Sequence, residues 1–235
     1  MGGLNFSQIL IDCLKSGTPE KLAEANWLLN NVTVDVNATE EDGRKGTALI
    51  QTAYYGLPRW TEKLLERGAK VDTKDAFGRT ALWYAALNGH TDVAVKLIQA
   101  GANIHIKDYQ GYSPIILSAQ FKTIDMCCLC LGQGANINDQ DDDKKMTPLI
   151  MAASSHMSYE KISFLLMAGA DASIKNIYGE TALDIAKSKK ADEKIISLLR
   201  SYMGAEEENK PLQIIRSSDN KDQMMVLYQD QHIKG

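Results

Sequence analysis

Apolar residues recur along this chain in short helical bursts rather than in the alternation of a half-buried strand. Between Ala81 and Asn88 nearly every position is apolar, and Thr80 stands just before it. A threonine there accepts a hydrogen bond from amides left unpaired in the first helical turn. Gly89 follows, a residue that tolerates the left-handed geometry of a helix exit. In the next segment Val93, Ala94, Leu97 and Ile98 fall at i, i+1, i+4 and i+5, one apolar stripe on a 3.6-residue period. Gly101-Ala102-Asn103 ends it. The pattern predicts two short helices joined by a tight turn. Neither hides its apolar face alone, so the pair needs neighbours.

The neighbours are in the sequence. A hydroxyl at the capping position recurs at Thr47, Thr80, Ser113, Thr147 and Thr181, spaced 33, 33, 34 and 34 residues apart. A Gly-Ala step after the second helix recurs at Gly68, Gly101, Gly134 and Gly169, spaced 33, 33 and 35. The two registers run in step. Residues 4–37 read as a worn first unit: Phe6, Ile9, Leu10, Cys13 and Leu14 form one stripe, and Thr18-Pro19-Glu20 opens a second helix whose buried face is Trp27, Leu28 and Leu29. Trp60, in phase with Val93, is expected in the core.

This phase relation resembles the ankyrin repeat, whose period is about 33 residues and whose mark is Thr-Pro-Leu-His. The tetrads here are Thr47-Ala48-Leu49-Ile50, Thr80-Ala81-Leu82-Trp83, Ser113-Pro114-Ile115-Ile116, Thr147-Pro148-Leu149-Ile150 and Thr181-Ala182-Leu183-Asp184. Histidine never fills the fourth place, and apolar packing by Ile50, Trp83, Ile116 and Ile150 is expected instead. The resemblance implies an all-α repeat solenoid of stacked helix-turn-helix units with β-hairpin-like finger loops. It places an ankyrin repeat domain at 1–203, with repeats near 4–37, 42–74, 75–107, 108–140, 141–175 and 176–203. A polar C-terminal tail or an extra cap follows at 204–235.

Bulk properties narrow the function. The formal net charge is −4 with both signs mixed, which does not suggest nucleic acid as a partner. No run of 18 apolar residues exists to span a membrane, and the N-terminus lacks the basic-then-apolar order of a secretory signal. Four cysteines are present, and Cys127, Cys128 and Cys130 crowd one predicted helix without a second cluster at metal-ligand spacing. Cys127 and Cys130 share the phase of Ala94 and Leu97, so they read as buried thiols in a reducing, cytoplasmic compartment. Asp139 and Asp141-Asp142-Asp143 lack the glycine and distal glutamate of a calcium loop, and read as a solvated fingertip.

No constellation for catalysis is found. There is no phosphate loop, no nucleophile elbow and no paired Cys/His spacing; Ser155-His156 lacks an orienting acid. A non-enzymatic protein without cofactor or metal is expected. Repeat arrays work by displaying a long surface. The family resemblance puts partner contacts late in each first helix, at Tyr54, Tyr55, Leu87, Asn88, Gln120, Phe121, Ser154 and Ser155. It also puts them in the fingers, at Arg44, Lys45, Phe77, Arg79, Tyr109, Tyr112 and Tyr178. Tyrosine, tryptophan and arginine supply most strong anchors at interfaces. The expected function is a monomeric scaffold that binds a protein or peptide on the concave ankyrin surface. The alternative is a bacterial secreted effector engaging a host protein in the host cytosol, motivated by Glu206-Glu207-Glu208 before a polar tail. Leu29 with Asp35-Val36-Asn37 also resembles an asparagine-hydroxylation site, beside the plainer reading of an ordinary repeat ending.

Overall fold

The computed structural model describes residues 5–120, 124–155 and 157–203. Twelve helices succeed one another: α1 (Phe6–Ser16), α2 (Pro19–Asn31), α3 (Ala48–Tyr55), α4 (Pro58–Glu66), α5 (Ala81–Asn88), α6 (Thr91–Gln99), α7 (Pro114–Ser118), α8 (Asp125–Gly132), α9 (Pro148–Ser154), α10 (Tyr159–Met167), α11 (Ala182–Ser188) and α12 (Glu193–Met203). Among the described residues there is no strand, only an isolated antiparallel bridge between Thr39 and Thr47.

The chain divides into two compact units, Met1–Tyr109 and Gln110–Gly235. In the first, α1 packs on α2, α3 on α4 and α5 on α6, while α3 joins α1 to α5 and α4 meets α6. In the second, α7 packs on α8, α9 on α10 and α11 on α12, while α9 joins α7 to α11 and α10 meets α12. Each helix is too short to be stable in water alone, so it persists by burying its face on these neighbours. The buried positions are those the stripes predict: Leu10, Leu14, Leu49, Leu64, Leu82 and Leu97 in the first unit, Ile115, Ile116, Leu149 and Ile150 in the second. Each such side chain contributes roughly 1.5–3 kcal/mol by leaving water.

The predicted caps form with one exception. Thr47, Thr80, Thr147 and Thr181 accept from the amides of Ile50, Trp83, Ile150 and Asp184, each at 3.2 Å. The Asp184 carboxylate accepts in turn from the Thr181 amide, which closes a capping box. Ser113 does not cap α7; its hydroxyl donates to the Asp139 carboxylate instead. The hydroxyl is oriented toward that acid and makes no bond to the first-turn amides of α7, which is only five residues long.

Three other expectations are corrected. Trp27 is 57% exposed, although Leu28 and Leu29 beside it are buried. It lies one residue off the stripe that faces α1. Trp60 is half-buried rather than core, with the Lys63 ammonium 5.2 Å from its ring centre. The aspartate run is not wholly solvated: Asp142 and Asp143 are exposed, but Asp141 is fully buried. Its carboxylate accepts from the amides of Lys144 and Met146 at 2.6 Å and holds the loop from inside.

The loops between pairs run side by side within each unit. The Ala76 amide donates to the Arg44 carbonyl (2.8 Å) and Tyr109 to Phe77 (3.0 Å). In the second unit Asp142 donates to Gln110 (2.9 Å) and Ile177 to Lys144 (3.1 Å). These bonds satisfy backbone that would otherwise be stranded in irregular loops.

Candidate functional site

In the first unit the predicted contact residues assemble around the loop Asp75–Arg79. Asp75 is buried, and its Oδ1 accepts from the Phe77 amide (2.8 Å) and the Arg79 amide (2.9 Å). An aspartate bonded to its own following backbone fixes a turn, and this one throws Phe77 outward and Arg79 sideways. The other carboxylate oxygen accepts from the Tyr84 hydroxyl at 2.7 Å, tying the loop to α5. Burial, foremost, pushes the Tyr84 phenol up from its ordinary value; the Asp75 carboxylate adds to this and Arg79 opposes it.

Arg79 sits between two rings. Its guanidinium carbon lies 4.7 Å from the centre of Phe77 and 4.6 Å from that of Trp83. From Trp83 the rings continue edge to face: Trp83 to Tyr84 at 5.0 Å, Tyr84 to Tyr54 at 5.7 Å and Tyr54 to Tyr55 at 4.9 Å. Such pairs gain about 0.5–1.5 kcal/mol beyond burial. Yet Tyr54, Tyr55 and Phe77 keep 45%, 44% and 47% of their surface in water, and Tyr109 is more exposed still. Tyr109 lies against Gly78: a Cβ there would come within 2.8 Å of its ring.

The backbone beneath is held from α5 and its exit. The Tyr54 carbonyl, at the end of α3, accepts from the Asn88 carboxamide at 2.9 Å, and His90 Nε2 stands 3.2 Å from it. The His90 ring covers Gly56, whose φ of 69° is left-handed; a Cβ there would meet the ring at 2.6 Å. His90 is thus a structural turn residue. Asn88, placed by sequence among the partner contacts, spends one amide hydrogen internally. Leu87 is half-buried, and Arg44 and Lys45 are exposed, Lys45 with a φ of 58°.

The second unit carries Tyr112, Gln120, Ser154, Ser155 and Tyr178. Tyr178 is exposed, whereas Tyr112 and Gln120 are half-buried. The Ser154 hydroxyl donates to the Ile150 carbonyl (2.8 Å) and Ser155 to the Met151 sulfur (3.6 Å). Phe121 lies outside the described residues, as does His156.

Sequence reasoning missed two groups. Tyr84 belongs to the aromatic row; its signal was the i, i+4 spacing from Asn88, which places both on one side of α5. Lys161 is the other. It takes the phase of Trp60 and Val93, yet it is fully buried, with its ammonium donating to the carbonyls of Ser118 (3.2 Å) and Ala119 (3.4 Å). Cys127 lies beside it, its sulfur 3.1 Å from the Ser118 hydroxyl. Burial pushes the Cys127 and Cys130 thiols up, and burial, opposed by the neighbouring Cys127 and Cys128, pushes Lys161 down. These thiols are held protonated, the inert form. Asn37 is structural as well: its amide donates to the Gly68 carbonyl (3.2 Å) and its oxygen accepts from the Lys70 amide (2.7 Å). Among the described residues no group of acids, cysteines or histidines is arranged to hold a metal ion.

Capped helical pairs joined by hydrogen-bonded loops define a repeat protein. The chain belongs to the ankyrin-repeat family: the family model described as ankyrin repeats (3 copies) matches residues 10–108 and 115–211. Its fold is accordingly an all-α repeat solenoid. Ankyrin repeats generally act as protein–protein interaction modules and are typically non-enzymatic. No curated protein matches the chain. No helix among the described residues is long and apolar enough to cross a membrane.

Proposed function

We propose that this chain is a non-enzymatic, monomeric scaffold of the cytoplasm that docks a protein or peptide, and takes neither nucleic acid nor membrane. The docking row of the first unit is Tyr54, Tyr55, Phe77, Arg79 and Tyr109, flanked by Arg44, Lys45, Leu87 and Asn88. The second unit offers Tyr112, Gln120, Phe121, Ser154, Ser155 and Tyr178. One observation carries the reading: Tyr54 packs edge to face on both Tyr55 and Tyr84, yet Tyr54 and Tyr55 remain nearly half in water. Rings that only stiffened the array would bury that surface. Exposed apolar clusters signify contact, and rigid aromatics bind at low entropic cost.

The test replaces Tyr54 and Tyr55 by alanine and compares capture from a cell lysate with that of the wild type. Loss of specific captured proteins with nearly unchanged thermal unfolding supports the row as the interface. Unchanged capture with a lowered unfolding temperature assigns the rings to stiffening. The secreted-effector alternative rests on residues 204–235, which lie outside the described residues, and no observation favours it.

A further inference from the structure

Four of the helices that close a pair end in the same way. Behind α4, α6, α8 and α10 stand Gly68, Gly101, Gly134 and Gly169, left-handed with φ between 82° and 95°. The amides of Ala69, Ala102, Ala135 and Ala170 then donate back to the carbonyls of Leu64, Leu97, Cys130 and Leu165 at 2.9–3.0 Å. That closure spends the main chain at the helix end. Helix α2 has no glycine there. Its chain leaves through Val32 in extended conformation, with φ −131° and ψ 146°. Val32, Val34 and Val36 then alternate with Thr33 and Asp35; the valines are half-buried or buried, while Thr33 and Asp35 are exposed. Branched apolar residues at alternate positions are the pattern of a strand with one face covered. Ser7 holds one point of the run, its hydroxyl accepting from the Asp35 amide at 3.2 Å. Among the described residues, neither the amides nor the carbonyls of Thr33 and Val34 make a hydrogen bond. A cavity of about 290 Å³ opens beside them, lined by Leu29, Val32, Thr33, Val34, Val36 and Arg67. Arg67 is engaged on α2: Nη1 donates to the Leu29 carbonyl and Nη2 to Asn30 Oδ1.

We infer that residues 32–35 are a docking edge for an extended peptide of a protein partner, which pairs with Thr33 and Val34 as an added strand and sets one aliphatic or aromatic side chain into the cavity. This edge shares no residue with the tyrosine row and does not depend on it. The open main-chain groups decide the occupant. A strand brings amides and carbonyls of its own to meet them, whereas a helix has already spent its own on itself. The cavity decides the anchor: four of its six lining residues are aliphatic, and its one cation is already bonded.

The experiment screens a display library of random linear peptides against the full chain, then adds synthetic copies of the enriched sequences and follows amide hydrogen exchange by NMR. At saturation, exchange at Thr33 and Val34 slows by about tenfold or more. N-methylation walked along the peptide weakens binding about fivefold or more at alternate residues, the loss of one main-chain hydrogen bond, and little between them. V34P removes the Val34 donor and abolishes binding; if that variant unfolds, the N-methyl series carries the test. Equal tolerance to N-methylation along the whole peptide overturns the inference. So does a set of enriched peptides that leaves Thr33 and Val34 unprotected; if those peptides shift Tyr54 and Tyr55 instead, the tyrosine row stands and the edge falls. Protection in the free chain that grows with protein concentration assigns the edge to a second copy. Protection in the free chain that is lost on removing residues 204–235 assigns it to the chain's own tail. Either result overturns a foreign peptide as the occupant.

Discussion

Lys161 shows how one residue can do the work of a missing glycine. Helices α3 and α5 leave through left-handed glycines, Gly56 and Gly89, but α7 has none: Ala119 is right-handed. Its last carbonyls take the Lys161 ammonium instead. The arrangement has a pH signature. Burial favours the neutral amine, so the folded value lies below the ordinary lysine value of about 10.4. Between those two values the unfolded chain binds more protons than the folded one, and stability rises with pH. Raised cysteines oppose this above pH ~8.5, so the comparison must be with K161M, which keeps them. Wild type is expected to gain stability on K161M as pH rises from neutrality toward 10; a constant difference in urea midpoint across that range refutes it. Lys161 was not legible in the sequence. Phase says which side a residue faces, but not that a long polar chain will reach across to a neighbour's carbonyls.

At the scale of the element, helix starts and stops were the most legible features, because each is set by one hydroxyl or one glycine acting locally. The exceptions have a common cause: a partner outside the element. Ser113 lost its cap to Asp139, and Trp27 lost the buried face because α1 meets the residues next to it. The same distinction separates two glycines. Gly17 and Gly56 both end helices with φ near 65°, but nothing lies within 4 Å of a Cβ at Gly17, whereas at Gly56 it would strike His90. Alanine at Gly17 therefore costs only left-handed backbone strain, about 1 kcal/mol. Alanine at Gly56 adds displacement of the ring, with a total of roughly 2–3 kcal/mol. Thermal unfolding of G17A and G56A should show at least twice the drop in the second. Equal drops would mean that His90 moves aside without cost. The placement of the proposed docking row was legible to the extent that it follows repeat phase: Tyr54 and Tyr55 end α3, and Phe77 and Arg79 lie in the loop before α5. Sequence could not show that Arg79 is sandwiched, since that depends on how Asp75 folds its own loop.

Across the whole chain, stability should be local. Each helical pair in a repeat array touches mainly its neighbours, so a defect spreads only as far as the interfaces it loosens. Leu64 is fully buried in α4, and its replacement by alanine should cost about 2–5 kcal/mol. Hydrogen exchange of L64A is expected to quicken in α3 through α6 and to stay near wild type in α9 through α12. A uniform rise across all helices would instead make the array one cooperative block.

Several helices borrow the groups that finish them from much later in the chain. The Tyr54 carbonyl waits for Asn88 and His90, 34 and 36 residues on; Ser118 waits for Lys161, 43 residues on; Ser154 waits for Lys189, 35 residues on. A ribosome releases the chain from its beginning, so each of these turns enters the cell with its end open. It closes only when the next pair has been made, and maturation therefore trails synthesis by about one repeat along the chain.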